Sequence, residues 1–442
     1  MSSGEDAGSR GPRIRLPLRA RFDRPATLAF PVCALGAYLC AALPAGTRGS
    51  GYLLLCATLT ALQLIAFANP DVSPGRTRRL VAAGMLARLA LVFVPPFTTH
   101  DVQRYLWDGR VLWEGLDPWA LAPNDPALAF LRPAWVAPPE LAMVRSVYPP
   151  GALALFALSS AFGPLVGAWV WKLLVTAASM GALALGARAL GRLGGLRGLP
   201  LLALSPLLVL ESGVGAHVDV LASLGLVAAL LLRARAQDLL AGVALAAGAL
   251  CKPVVLGAAL PLALYGPPRR SLRLLGGVAL GVGAGVGVPL ALGRRVIGEL
   301  PMFFERWRFG AVVFPYLEPG RTSADALAVT AIAGVTATVV AVLLLRRSRA
   351  AVAVAVATPL AFSPVVFPWY LAPAAAAVAF SPSATWIAWL AVAPATYESI
   401  DLLDRSRLWQ PAAWPLELAR AALACGLALD LALALARWRR RA

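Results

Sequence analysis

The sequence predicts an all-α, polytopic membrane protein with about 11–14 transmembrane helices. Three observations carry this expectation. Mean hydropathy is +0.73, and 59% of the residues are hydrophobic. Apolar runs of roughly 15–25 residues, long enough to cross a bilayer as helices, recur from residue 25 to residue 436. Short breaks rich in Pro, Gly and Arg separate these runs. Lipid obliges each crossing segment to satisfy its own backbone polar groups. The runs lack period-two alternation, which excludes an outer-membrane barrel.

The basic breaks orient the helices. Arg10, Arg13, Arg15, Arg19 and Arg21 precede the first apolar run, and further basic clusters lie at 76–79, 188–197, 233–235, 267–273, 346–349 and 437–441. With all of them cytoplasmic, helices fall near 25–44, 50–69, 79–96, 165–186, 198–211, 217–233, 272–293, 326–345, 349–362, 366–381, 384–396 and 413–436. The first of these is read as a retained helix, since no convincing cleavage site follows it. Segments 149–163 and 238–264 are the wrong length for a clean crossing, and Lys252-Pro253 in the second predicts a broken pair of short helices. The chain then reads as one membrane domain, 25–436, with basic cytoplasmic tails at 1–24 and 437–442. The polar breaks left over, 97–148, 211–219, 294–325, 363–370 and 397–412, all land on the extracytoplasmic face. Arg294 and Arg295 are the exceptions to the charge rule.

Charge and cysteine usage narrow the function. The net charge of +18 comes from 40 Lys+Arg against 22 Asp+Glu. These cations sit in short breaks, not on an aromatic-interleaved face, so membrane lipids rather than nucleic acid are the expected partners. Cys33, Cys40, Cys56, Cys251 and Cys425 lie in apolar runs without a CxxC pair, which predicts small core residues and no disulfide or metal framework. The glycine-rich run 277–289 lacks a following lysine or hydroxyl, and reads as close helix packing, not a phosphate loop.

The most polar stretch is TTHDVQRYLWDGRVLWEGLDPW, 98–119. As a helix over 99–114 it places Asp101, Arg104, Tyr105 and Asp108 on one face. Val102, Leu106 and Trp113 populate other faces, which predicts a helix on the membrane surface with Trp107, Trp113 and Trp119 at headgroup level. Thr98, three residues before Asp101, fits a capping box, and Asp101 with Arg104 could form a local ion pair.

Taken in order, DVQRYLWDGRVLWEGLDPW (101–119), SVYPPGALALF (146–156), SPLLVLESGVGAHVDVLA (205–222), CKP (251–253), FFERWRFG (303–310) and SPVVFPWYLAP (363–373) resemble the GT-C superfamily of membrane glycosyltransferases. They are most similar to the bacterial family 87, mannosyltransferase-like enzymes that use polyprenyl-phosphate mannose. The resemblance implies a GT-C-like fold whose outer loops carry short surface helices. It also implies that Asp101 is the general base, with Asp108 as a second acid on the same face. In relatives a glutamate precedes YPP; here Val147 stands in its place, and Glu140 or Arg145 could lie nearby without substituting for it.

Such a reaction suits these residue types. The donor leaves as a phosphate monoester, so the site needs one carboxylate to take the acceptor proton and cations to hold the phosphate. Arg306, Arg308, Lys252, Arg104 and His217 are the candidates for the donor phosphate. Tyr105, Tyr148, Asp219, Glu211, Trp369, Tyr370, Glu398 and Asp401 are candidates for the sugar or acceptor. A divalent metal on His217, Asp219, Glu211 and Asp101 stays open, although no spacing demands it and no metal ligand is assigned. The expected activity is inverting transfer of a sugar, mannose by resemblance, to a glycolipid or polysaccharide hydroxyl at the extracytoplasmic face of the bacterial inner membrane. The alternative is a transporter or flippase of a lipid-linked sugar.

Overall fold

A computed structural model of the chain describes residues 24–264, 266–346, 348–406 and 409–439. Nearly all of the expected tail at 1–24, and residues 440–442 of the other, lie outside the described residues. Regular structure among the described residues is helical apart from one isolated bridge between Phe309 and Val365. The N-terminal helices are α1 (Arg24–Ala42), α2 (Arg48–Ala68), α3 (Pro74–Ala90) and α4 (Asp101–Trp113). The central ones are α5 (Pro150–Ser160), α6 (Pro164–Arg192), α7 (Leu199–Ala203), α8 (Pro206–Gly213), α9 (Asp219–Ala234), α10 (Asp238–Ala249), α11 (Ala259–Leu264) and α12 (Pro268–Ala291). The C-terminal set comprises α13 (Leu300–Arg306), α14 (Phe314–Leu317), α15 (Ser323–Leu344), α16 (Ala350–Phe362), α17 (Ala372–Phe380), α18 (Ala384–Val392), α19 (Glu398–Ser406) and α20 (Trp414–Arg439).

The protein is a polytopic helical membrane protein. Seven helical stretches among the described residues are long and apolar enough to cross a membrane: α1, α2, α6, the α7–α8 stretch, α12, α15 and α20. Several further expected crossings fall on shorter apolar helices, because prolines cut them. Pro253 follows the end of α10 closely, as Lys252-Pro253 predicted, and Pro364 follows α16. The expected helix 79–96 is displaced towards the N-terminus. Ser73 caps α3, its Oγ accepting the Arg76 N–H at 3.4 Å, and a 3-10 turn at Leu91–Phe93 ends the helix before Pro95-Pro96.

The expected helix 198–211 is broken. Pro206 offers no N–H to the Leu202 carbonyl four residues earlier, and α7 stops at Ala203. Arg88 of α3 supplies the missing donors: its guanidinium donates to the carbonyls of Leu202 (3.1 Å), Ala203 (2.8 Å) and Gly84 (2.9 Å) and to Ser179 Oγ (2.7 Å). A buried arginine is tolerable here because every direction it points in holds an acceptor.

Burial divides the helices. Of the α7–α8 apolar window 89% is buried, against 11% for α12 and for α20, so the first lies at the centre and the others present their faces to lipid. Lipid gives little hydrophobic drive between helices, and close backbone approach substitutes for it. The glycine-rich run illustrates this: a Cβ on Gly277 would stand 2.1 Å from the Leu239 carbonyl of α10, and one on Gly285 2.3 Å from Leu250. Among the cysteines, Cys33, Cys40, Cys56 and Cys251 are buried as expected, whereas Cys425 of α20 is exposed.

The polar breaks meet at one end. Glu299 N–H donates to Ser146 O (3.3 Å), Arg295 N–H to Asp117 (2.9 Å) and Phe309 N–H to Pro364 O (3.2 Å), joining 97–148, 294–325 and 363–370. Elsewhere Asp238 gathers the basic breaks 233–235 and 267–273, accepting from Arg270 at 2.8 and 2.9 Å and from Arg233.

Candidate active site

The helix expected at 99–114 forms as α4, but it is not laid free on a surface. Val102, Arg104 to Gly109 and Val111 are buried, and a Cβ on Gly109 would stand 2.3 Å from the Phe156 carbonyl of α5. Trp107 and Trp119 are therefore core residues, and only Trp113 of the three tryptophans is exposed. The Trp119 indole N–H donates to Tyr148 O at 2.9 Å, tying the loop to the YPP turn. The expected Thr98 cap is also corrected. Thr99 Oγ1 accepts the Asp101 N–H at 3.3 Å, and Thr98 is buried.

Position 101 begins α4 and position 108 lies two turns on, and the two acids have different surroundings. Arg104 pairs with Asp108 at 2.8 Å instead of Asp101, and both side chains are sealed, at 3% and 2% exposure. Arg104 also donates to Leu141 O at 3.1 Å. Asp101 is 22% exposed and stands 3.6 Å from His217 Nε2, with the Tyr105 hydroxyl donating to it at 3.4 Å. Burial raises the Asp101 carboxyl above its usual value; Lys252, and His217 when it is protonated, pull it back, and Asp219 pushes it further up.

The turn between α8 and α9 places the next groups. His217 N–H donates to Glu211 O at 2.9 Å, and Ala216 takes a left-handed φ of 52°, which costs an alanine about 1 kcal/mol. Gly215 is needed because a Cβ there would stand 2.4 Å from His217 Nδ1. His217 is wholly buried, its ring stacked on Trp369 at 4.1 Å, its Nδ1 2.8 Å from Glu211 and its Nε2 3.2 Å from Thr99 Oγ1. Asp219, at the start of α9, pairs with Lys252 at 2.8 Å. Lys252 sits in the break after α10, and its ammonium lies 3.2 Å from the centre of the Tyr370 ring. Tyr105 packs edge-on to Tyr148 at 5.2 Å and stacks on Phe156 at 4.4 Å. The structure thus brings Asp101, Tyr105, Tyr148, Glu211, His217, Asp219, Lys252, Trp369 and Tyr370 into one cluster.

Residues 147–309 match the model of glycosyltransferase family 87. Together with the helical membrane fold, this match supports glycosyltransferase activity. No curated protein and no solved structure matches the chain. The matched segment contains Tyr148, Glu211, His217, Asp219 and Lys252, and the fold adds Asp101 and Tyr105 from before it and Trp369 and Tyr370 from after it.

Other candidates are committed elsewhere. Arg308 pairs with Glu318 at 2.9 Å and donates to the carbonyls of Phe304, Glu305 and Trp307, while Arg306 is exposed. Glu398 accepts the Ala412 N–H at 3.0 Å. Asp401 closes the start of α2, accepting the N–H groups of Gly49 (2.6 Å) and Ser50 (2.8 Å) and the Ser50 hydroxyl (2.6 Å). Glu140 pairs with His100 at 2.7 Å and Arg145 with Glu299 at 3.6 Å, so neither fills the place opposite Val147. Among the described residues no three His, Cys, Asp or Glu side chains are grouped to hold a metal ion.

Sequence reasoning missed Tyr52, Tyr397 and Thr99. Tyr52 and Tyr397 both donate to Glu211, Tyr52 at 3.4 Å, and their rings meet edge-on at 4.8 Å. Each lies more than a hundred positions from Glu211; Tyr52 reads locally as an ordinary apolar-helix aromatic and Tyr397 as the edge of a polar break.

Proposed function

We propose that this glycosyltransferase moves a sugar, mannose by family resemblance, from a polyprenyl-phosphate carrier to a hydroxyl of a glycolipid or polysaccharide. The reaction takes place at the extracytoplasmic face of a bacterial inner membrane. One observation carries the reading: a partly open carboxylate, Asp101, 3.6 Å from His217, shares a cluster with the ammonium of Lys252, which pairs with Asp219 at 2.8 Å. A base and a phosphate-binding cation are the two groups this reaction needs, because the leaving phosphate monoester requires no strong acid.

In this scheme Asp101 takes the proton from the acceptor hydroxyl as its oxygen attacks the anomeric carbon. The bond to the phosphate breaks on the opposite side, and the configuration inverts. Lys252 holds the departing phosphate. Tyr148 and Tyr370 contribute apolar ring surface to the sugar, and buried Tyr105 packs edge-on behind Tyr148. The prenyl chain stays in lipid against the bundle.

The test is transfer from radiolabelled polyprenyl-phosphate mannose to a host lipid extract by protein in nanodiscs, with and without EDTA. Wild-type transfer that collapses in Asp101→Asn supports the reading. Loss of transfer with EDTA assigns a divalent metal to the reaction. No transfer by folded wild type from mannose, glucose or arabinose donors overturns it.

A further inference from the structure

Glu211 was expected to touch sugar or acceptor, yet its side chain is 1% exposed and is enclosed by Tyr52, Tyr397 and His217. Oε1 accepts from the hydroxyls of Tyr397 and Tyr52, and Oε2 lies 2.8 Å from His217 Nδ1. With both tyrosine hydroxyls turned to Oε1, an Nδ1–H facing Oε2 completes the hydrogen bonding of the buried carboxyl. The other tautomer would turn a lone pair toward a buried carboxylate and leave it short of a donor, at a cost of roughly 1–3 kcal/mol. The ring cannot rotate away: Trp369 covers one face at 4.1 Å, and the loop at Gly215 closes against Nδ1.

Resting on the transfer reaction above, we propose that Glu211 is a positioning residue that fixes the tautomer of His217 and aims its bare Nε2 at Asp101. His217 is then the next stop for the proton that Asp101 removes. The acceptor O–H bond breaks and the proton joins an Asp101 oxygen. It then passes to Nε2, and Asp101 returns to the carboxylate. The resulting imidazolium stands between the Glu211 carboxylate and Asp101, and gives up its Nε2 proton to water admitted as product leaves. The 3.6 Å from Nε2 to Asp101 closes by a small shift of the Asp101 side chain, as acid–base contacts commonly tighten in the reacting complex. Thr99 Oγ1, 3.2 Å from Nε2, donates to it between turnovers.

The chain has two histidines, so His100→Gln leaves His217 as the single reporter. Protein labelled with ¹⁵N-histidine in this background shows the ring-nitrogen shifts of an Nδ1–H imidazole. Glu211→Leu loses that pattern and lowers kcat by about 10²-fold with the donor KM unchanged. Glu211→Gln keeps an acceptor oxygen for Nδ1–H and restores both the tautomer and most of the rate. An Nε2–H ring in the unmutated background overturns the proposal, whether or not Glu211→Leu folds. So does a Glu211→Leu protein with an unchanged ring pattern. The tautomer result with no transfer by wild type sinks the reaction scheme and leaves the Glu211–His217 assignment standing.

Discussion

Lys252 Nζ lies 2.8 Å from Asp219 Oδ1, joining the broken helix after α10 to the start of α9 and facing the Tyr370 ring from 3.2 Å. A lysine in an apolar run is costly unless paired, and here it has both an anion and an aromatic face. Its side chain remains 21% exposed, which leaves a way in for a phosphate. Lys252→Met is expected to raise the donor KM by about 10- to 100-fold, the value of roughly one charge-assisted hydrogen bond, with a smaller effect on acceptor KM. Initial-rate kinetics with each substrate varied in turn check this.

Asp101 and Asp108 share a helix but not a role. Asp101→Asn is expected to abolish transfer while the melting temperature stays near wild type, because the side chain is partly open. Asp108→Asn leaves the Arg104 guanidinium uncompensated in a closed space and should cost about 3–5 kcal/mol of stability. Thermal unfolding measured alongside activity separates the two. An Asp108→Asn protein as stable as wild type yet inactive would transfer the base assignment to Asp108.

The pH dependence follows from the charges around Asp101. Burial raises its carboxyl, so the base is protonated over more of the acid range, and kcat/KM falls as pH drops through a region above the usual carboxylate range. Lys252 lowers this value and Asp219 raises it. The acidic limb should therefore move up in Lys252→Met and down in Asp219→Asn. Profiles of kcat/KM against pH for the three proteins decide it, and shifts of the same sign would contradict the arrangement.

Gly109 sets how closely α4 approaches α5. A methyl group there meets the Phe156 carbonyl at 2.3 Å, backbone against backbone, with no flexible side chain to give way. Gly109→Ala should lower stability by about 1–3 kcal/mol and weaken transfer, because it displaces the helix whose first residue is Asp101. Melting temperature and kcat, measured on the same preparation, test the link.

The all-helical membrane fold and the break at Lys252-Pro253 were legible in the chain itself. Hydropathy, proline and charge act locally, and lipid leaves few alternatives to a helix. Asp101 and Lys252 also stood out, since charge beside apolar sequence is conspicuous. The surroundings of each charged group were settled only in three dimensions. Asp401 looks like an acceptor ligand in sequence, but it caps α2 some 350 positions away, its oxygen 2.6 Å from the Gly49 N–H. Arg308 looks like a phosphate fork, and its donors are taken by Glu318 and nearby carbonyls. Glu211 acquires its partners from α2 and from the segment just before α19. Local sequence determines where a polar group must leave lipid, while long-range packing determines which donors and acceptors remain free to meet a substrate.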